Sequence, residues 1–181
     1  MSKTRQTRGT LYIIACAAGT ASSVPNVVEI AQASGWDTCV VPTPRATGFL
    51  DIPYLEQLTG HPVRSDYRTS DEPDDSTPRA DALVVFPATF NTINKWALGI
   101  CDTRALSLLC EYTGLKMPIV AVPTFRTGGG LDMHPAFPRS KEMLRSYGVH
   151  VLYEPETYAP RNHVPAEVIL DALHQIMNVQ G

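Results

Sequence analysis

The stretch Asp81-Ala-Leu-Val-Val-Phe-Pro-Ala-Thr-Phe-Asn-Thr-Ile-Asn-Lys-Trp-Ala-Leu-Gly-Ile-Cys-Asp102 limits what this chain can fold into more than any other part of it. Ala82 to Phe86 is a short apolar run rich in β-branched residues. It predicts a strand covered on both faces, as in a parallel sheet. Pro87 has no N–H to give, so the ladder is expected to stop there. Thr89, Asn91, Thr92 and Asn94 then arrive within six positions, where a helix begins. A strand end that delivers polar side chains and free helix N–H groups into a crevice is where open α/β sheets take ligands.

The rest of the chain repeats this alternation. Leu11 to Cys16 predicts a first strand at the centre of the sheet. The small residues Ala17 to Ser23 follow, with Gly19, Thr20 and Ser22 placed to let the backbone approach an anion. Pro25 suits a first helical turn, Val24, Val27, Val28 and Ala31 repeat at helical spacing, and Gly35 closes the helix. Thr38 to Val41 predicts strand two. Thr103 to Tyr112 predicts a helix burying Ala105, Leu106, Leu108 and Leu109, ended by Gly114. Pro118 to Val122 and Val149 to Tyr153 predict strands. Ser140 to Tyr147 predicts a helix with Met143, Leu144 and Tyr147 inward. Val164 to Val179 predicts a closing helix that buries Val168, Leu173, Ile176 and Met177 and leaves His174 at the surface. The expected fold is α/β: a single-domain Rossmann-like (flavodoxin-like) doubly wound parallel sheet, in three α/β/α layers over residues 1–181.

Composition narrows the function. A chain of 181 residues with 44% hydrophobic content suits one globular domain. A net charge of −3 argues against a nucleic-acid surface. No apolar run approaches the ~20 residues of a membrane span. Residues 1–10 are polar and basic and predict a tail rather than a signal peptide. Cys16, Cys39, Cys101 and Cys110 form no C-x-x-C pair. They predict buried thiols in a cytoplasmic chain, with no metal site.

Pro87-Ala-Thr-Phe-Asn-Thr-Ile-Asn-Lys95, followed by Gly99-Ile-Cys-Asp102, resembles the P-A-[ST]-x-N-T-[ILM]-x-K…G-[IL]-[AC]-D signature of the homo-oligomeric flavin-containing cysteine decarboxylases. Thr43-Pro-Arg-Ala-Thr-Gly-Phe49 resembles that family's T-P-x-A-x-x-F segment, whose hydroxyls help hold the flavin phosphate. Ile52 to Val63 resembles its L-x-x-L-[ST]-G-x-x-V helix and strand, with His61 in a surface turn. The resemblance runs from Leu11 to about Leu173. It implies FMN as cofactor, held by Gly19, Thr20, Ser22, Thr43, Arg45, Ala88, Thr89, Asn91, Thr92, Lys95, Cys101 and Asp102. It also implies a homotrimer or homododecamer with the site at the subunit interface. Arg45 is equally readable as a phosphate partner or a solvated charge, and Lys95 as a flavin neighbour, a subunit contact or a surface lysine.

The chain departs from the family where the family does its chemistry. The acidic segment 64–79, expected to be a mobile loop, has Pro73 where the family carries a histidine. Arg126 stands where the family's P-x-M-N asparagine holds the substrate carboxylate, a job a guanidinium fork can also do. No cysteine follows Cys110, so the flap cysteine is missing from Tyr158 to His163. Segment 124–135, with Gly128 to Gly130, reads as a glycine-rich lid or plain loop before a phosphate nest. His134-Pro135 matches a common family pair; His134 either starts a helix or lines the site. Asn91, Arg126 and His134 are the catalytic candidates. The expected function is FMN-dependent redox chemistry on a small or peptidic substrate bearing a carboxylate or thiol. The alternatives are a non-catalytic FMN-binding partner subunit, a decarboxylase with substituted residues, and, last, a flavin prenyltransferase-like enzyme.

Overall fold

The computed structural model describes residues 7–67 and 77–180. Five parallel strands form one sheet: β1 (Thr10–Ala15), β2 (Asp37–Pro42), β3 (Ala82–Ala88), β4 (Ile119–Pro123) and β5 (His150–Val151). Six helices connect or close them: α1 (Val24–Ala33), α2 (Ile52–Thr59), α3 (Phe90–Ala97), α4 (Arg104–Gly114), α5 (Ala136–Ser146) and α6 (Ala166–Gln180). The strand order is β2-β1-β3-β4-β5. The chain starts at β1, goes out to β2 and returns past β1 to β3. The β1/β3 border is therefore the topological switch point, where the loops diverge and leave a crevice.

Alternating side chains of each strand feed two cores, which is why the strands read as unbroken apolar runs. Leu11, Ile13, Val84 and Phe86 face Val24, Val27 and Val28 of α1 and Ile169 and Leu173 of α6. Tyr12, Ile14, Leu83 and Val85 face Ile93 and Trp96 of α3, Leu106 and Leu109 of α4, and Phe137 and Leu144 of α5. The three-layer α/β/α expectation is met. Among the described residues no helix is long and apolar enough to cross a membrane.

Several local expectations are revised. Pro87 does not end its strand: β3 runs to Ala88, with a register shift between Val85 and Ala88. A bulge needs no N–H from its extra residue, and the Pro87 carbonyl still accepts from Cys16 N–H at 3.0 Å. No strand forms at Val63; the α2 helix ends at Gly60, in the left-handed region at φ 73°. Helix α4 continues through Gly114, and Lys116 takes the positive φ instead. Helix α5 starts at Ala136 and buries Phe137, Ser140 and Leu144, leaving Tyr147 exposed. His61 is half-buried, with Nε2 2.8 Å from Asp37 Oδ1. His174 is not simply a surface residue: its Nε2 accepts from Trp36 Nε1–H at 3.2 Å and its ring stacks on that indole. In the expected tail, Arg8 already bonds Ser34 and Gly35, and Thr10 belongs to β1. Residues 1–6, and 68–76 of the acidic segment with Pro73, lie outside the described residues.

Candidate functional site

A cleft of about 820 Å³ opens at the carboxyl end of the sheet, over the switch point. Each strand from β1 to β4 contributes the residues just beyond its end, and Arg161 comes from the segment between β5 and α6. From β1 come Ala17, Ala18, Gly19 and Thr20, the last two in a 3-10 turn (Gly19–Ser23) leading into α1. From β2 come Thr43, Pro44, Arg45 and Phe49, on a second 3-10 turn (Pro44–Phe49). From β3 come Thr89 to Thr92, with Lys95 one turn further along α3.

The β3–α3 junction is built by hydroxyls. Thr89 is the N-cap of α3: its Oγ1 accepts from Thr92 N–H at 3.3 Å. Thr89 Oγ1 donates to Thr92 Oγ1 at 3.1 Å, and Cys16 Sγ donates to Thr92 Oγ1 at 3.3 Å. Burial pushes the Cys16 thiol pKa up, and the Thr92 bond only partly opposes it, so Cys16 is a neutral donor under the cleft floor. Asn91 is exposed to the cleft. Asn94 is turned away from it: its Nδ2 donates to Phe90 O and its Oδ1 accepts from Ser140 Oγ at 2.7 Å, which ties α3 to α5.

The charges in the cleft are lopsided. Lys95 is paired with Asp102. Arg45, Arg126 and Arg161 also line the wall, and among the described residues none has an ion pair or hydrogen bond through its guanidinium. Beside them, Thr20 Oγ1 is the one side-chain oxygen or nitrogen of the described residues that is buried without a hydrogen-bond partner. A buried hydroxyl left unpaired costs free energy, so a site that retains one beside free guanidinium groups is shaped for an anion. Apolar walls complete the cleft: Phe90 meets Phe125 edge-on at 6.2 Å, and buried Leu106 and exposed Leu131 also line it.

The fold thus brings together Gly19, Thr20, Thr43, Arg45, Thr89, Asn91, Thr92, Lys95, Asp102 and Arg126. Ser22, Ala88, Cys101 and His134 are not on the wall. Ser22 is exposed on the 3-10 turn, and Ala88 is fully buried in the β3 bulge. Cys101 is exposed and lies by Cys110, whose thiol pKa is pushed up to about 12 by burial and by the Cys101 thiol. His134 sits at the start of α5, edge-on to Phe90 at 5.4 Å, with Nδ1 accepting from Ala136 N–H at 3.1 Å. The glycine run does not present a free nest: Asp132 accepts from Gly128 N–H at 2.7 Å and Gly130 N–H at 3.1 Å. Those donors hold the Asp132 carboxyl below its usual range.

Sequence reading missed Arg161, Thr124 and the aromatic walls Phe49, Phe90 and Phe125. The aromatics lie within or beside flagged segments, so adjacency was a usable signal. Arg161 lies in the flap stretch Tyr158 to His163, which drew notice only for its missing cysteine.

A family model described as Flavoprotein matches residues 1–175. Among solved structures, the chain is similar to the FMN-dependent cysteine decarboxylase SpaF, with TM-score 0.74 and 23% identity over 94% of this chain and 98% of that one. It is similar to the peptidyl-cysteine decarboxylase EpiD, with TM-score 0.73 and 20% identity over 92% and 98%. It is also similar to the FMN binding protein AtHal3, with TM-score 0.76 and 18% identity over 96% and 99%. At these identities the likeness is one of fold. A curated cysteine/cysteine sulfinic acid decarboxylase from an unknown prokaryotic organism is 36% identical over 73 residues. That match spans 40% of this chain and only 19% of the relative.

Proposed function

We infer, since this chain belongs to the Flavoprotein family, that the cleft at the β1/β3 switch point is an FMN site serving redox chemistry on a small or peptidic substrate with a carboxylate or thiol. The observation that carries this reading is the unpaired Thr20 hydroxyl, buried at a helix-start turn in a cleft also lined by guanidinium groups that have no partner among the described residues. A phosphate monoester satisfies both, and the hydroxyl and amide row of Thr89, Asn91 and Thr92 suits a polar heterocycle. Thr43 and Arg45 support the phosphate side from the end of β2.

FMN, when bound, would supply a two-electron acceptor for the substrate. The chain's own residues supply the rest. Arg126, at the end of β4 with a free guanidinium fork, holds the substrate carboxylate. Phe90, Phe125 and Leu131 exclude water from the same wall. Asn91 orients the reacting group by hydrogen bonding. His134 lies outside the cleft wall, with Nδ1 committed to Ala136 N–H, and meets the site through its edge contact with the wall residue Phe90. The exposed apolar residues Leu98, Ile100 and Leu115 favour a homo-oligomer; its trimeric or dodecameric size and a cytoplasmic location are carried over from the sequence.

A second reading is a non-catalytic FMN-binding partner subunit. It draws on the sequence: Pro73, Arg126 and the cysteine-free flap replace the three groups the decarboxylases use. Both readings are tested by the visible spectrum of the purified protein, with mass identification of any released cofactor. A flavin spectrum that bleaches anaerobically on adding cysteine-ended peptides or thiol acids supports the enzyme. A spectrum that none of them bleaches supports the partner subunit. A protein that neither carries nor takes up FMN overturns both.

A further inference from the structure

Arg161 is an unusual place to find a cleft residue. Most other wall residues come from loops just beyond their own strands, with Asp102, Thr103 and Leu106 added from the entry to α4. Arg161 follows β5, at the far edge of the sheet, yet it reaches the turn after β1. A methyl group on Gly19 would lie 2.9 Å from its Nη1. The reach follows from packing. Helix α6 lies against α1 in the core on that side of the sheet, so the segment entering α6 must cross the carboxyl edge from β5 back to β1.

The crossing is pinned on both sides of Arg161. Asn162 is fully buried; its Nδ2 donates to Pro123 O at 2.9 Å and Leu152 O at 3.0 Å, and its Oδ1 accepts from Glu154 N–H at 2.8 Å. His163 Nε2 is 3.1 Å from Ser23 Oγ, and its ring stacks on Phe86. Pro160 O accepts from Thr127 N–H at 2.8 Å. A backbone this fixed delivers one cation to one place, next to Gly19, in the cleft that Thr20 with its unpaired hydroxyl also lines. No described carboxylate meets it there, whereas Arg145 pairs with Glu142 at 2.8 Å. A guanidinium held without a counter-ion against the turn that starts at Gly19 offers an oxyanion a bidentate fork there.

We propose that Arg161 is the counter-charge for the flavin phosphate, so that the β5–α6 segment recognises the cofactor's phosphate and leaves the substrate carboxylate to Arg126. This rests on the FMN reading above. It divides the guanidinium groups by position: Arg161 beside the β1 turn, Arg126 at the end of β4.

The test is fluorescence titration of the flavin-stripped full chain with FMN and with riboflavin, which differs by the phosphate alone. The wild type is expected to prefer FMN. Arg161→Gln is expected to weaken FMN binding by about tenfold or more, the scale of a lost charge-assisted hydrogen-bond pair, with riboflavin unchanged. Arg161→Lys keeps the charge without the fork and is expected to fall between; it decides the matter if Arg161→Gln does not fold. Arg126→Gln removes the same charge from the same cleft and is expected to leave the FMN-to-riboflavin ratio near wild type. An unchanged ratio in the Arg161 variants overturns the proposal, as does an equal loss in Arg126→Gln, which would mark a general field effect. A wild type that binds neither flavin overturns the FMN reading beneath it. A wild type that binds both equally overturns the phosphate assignment alone.

Discussion

Replacing Asn162 tests whether the cleft is held together by one buried amide. Its Nδ2 serves two buried carbonyls and its φ is 52°, in the left-handed region. Asn162→Ala strips both carbonyls of their donor, at about 1–2 kcal/mol each. It also puts a Cβ without a polar tip in a left-handed conformation, at about 1 kcal/mol more. The expected loss is about 3–5 kcal/mol, a large share of the ~5–15 kcal/mol that stabilises an ordinary domain. Asn162→Gly loses the same bonds but tolerates the backbone angle, so it should be about 1 kcal/mol milder than Asn162→Ala. Urea unfolding at constant m measures both. Because Arg161 is the preceding residue, the folded fraction of either variant should also bind FMN more weakly. A loss under ~1 kcal/mol for Asn162→Ala, with Asn162→Gly no milder, would refute the account of this residue as the fastener of the segment.

Three further outcomes are expected. Thr20→Val removes the unpaired hydroxyl while keeping the shape; it should maintain or raise the ligand-free urea midpoint yet weaken FMN binding, and a fall in both would contradict the anion-site role. Burial first, and then Arg8 for His174 and Arg145 for His150, depress the pKa of both histidines below the ordinary 6.5, with Asp171 and Glu154 opposing. A histidine with a lowered folded pKa binds its proton better unfolded, so this stability is present above the ordinary pKa and is lost as pH falls toward the folded one. The urea midpoint should therefore drop as pH falls below the ordinary histidine range, less steeply in His174→Gln; an unchanged slope would remove His174 from the explanation. Thiol labelling with a chromogenic disulfide should modify exposed Cys101 first, while Cys16 and Cys39, both buried, react only on unfolding. Early labelling of Cys16 would mean that the Thr89–Thr92 junction opens in the native state.

Much of the architecture was legible in the chain itself. Apolar runs at Leu11, Thr38, Ala82 and Pro118, separated by helical periodicity, fix a parallel sheet because each strand must be covered on two faces. The row from Thr89 to Lys95 marks the cleft because a cap, a strand end and a helix start are local events written in consecutive residues. Local rules also failed locally: Pro87 reads as a stop, but the neighbouring strands absorb it as a bulge.

Tertiary structure alone decided the rest. The sequence places Gly19 and Arg161 far apart, and their contact exists because α6 packs beside α1 and draws the preceding segment over the sheet edge. Asp132 takes up the N–H groups of Gly128 and Gly130, which the glycine run by itself leaves open to any anion. His174 reads as a surface helix residue until Trp36 closes over it. Periodicity reports which face of an element is covered; it carries no information about which distant side chain does the covering, since that depends on how the layers dock.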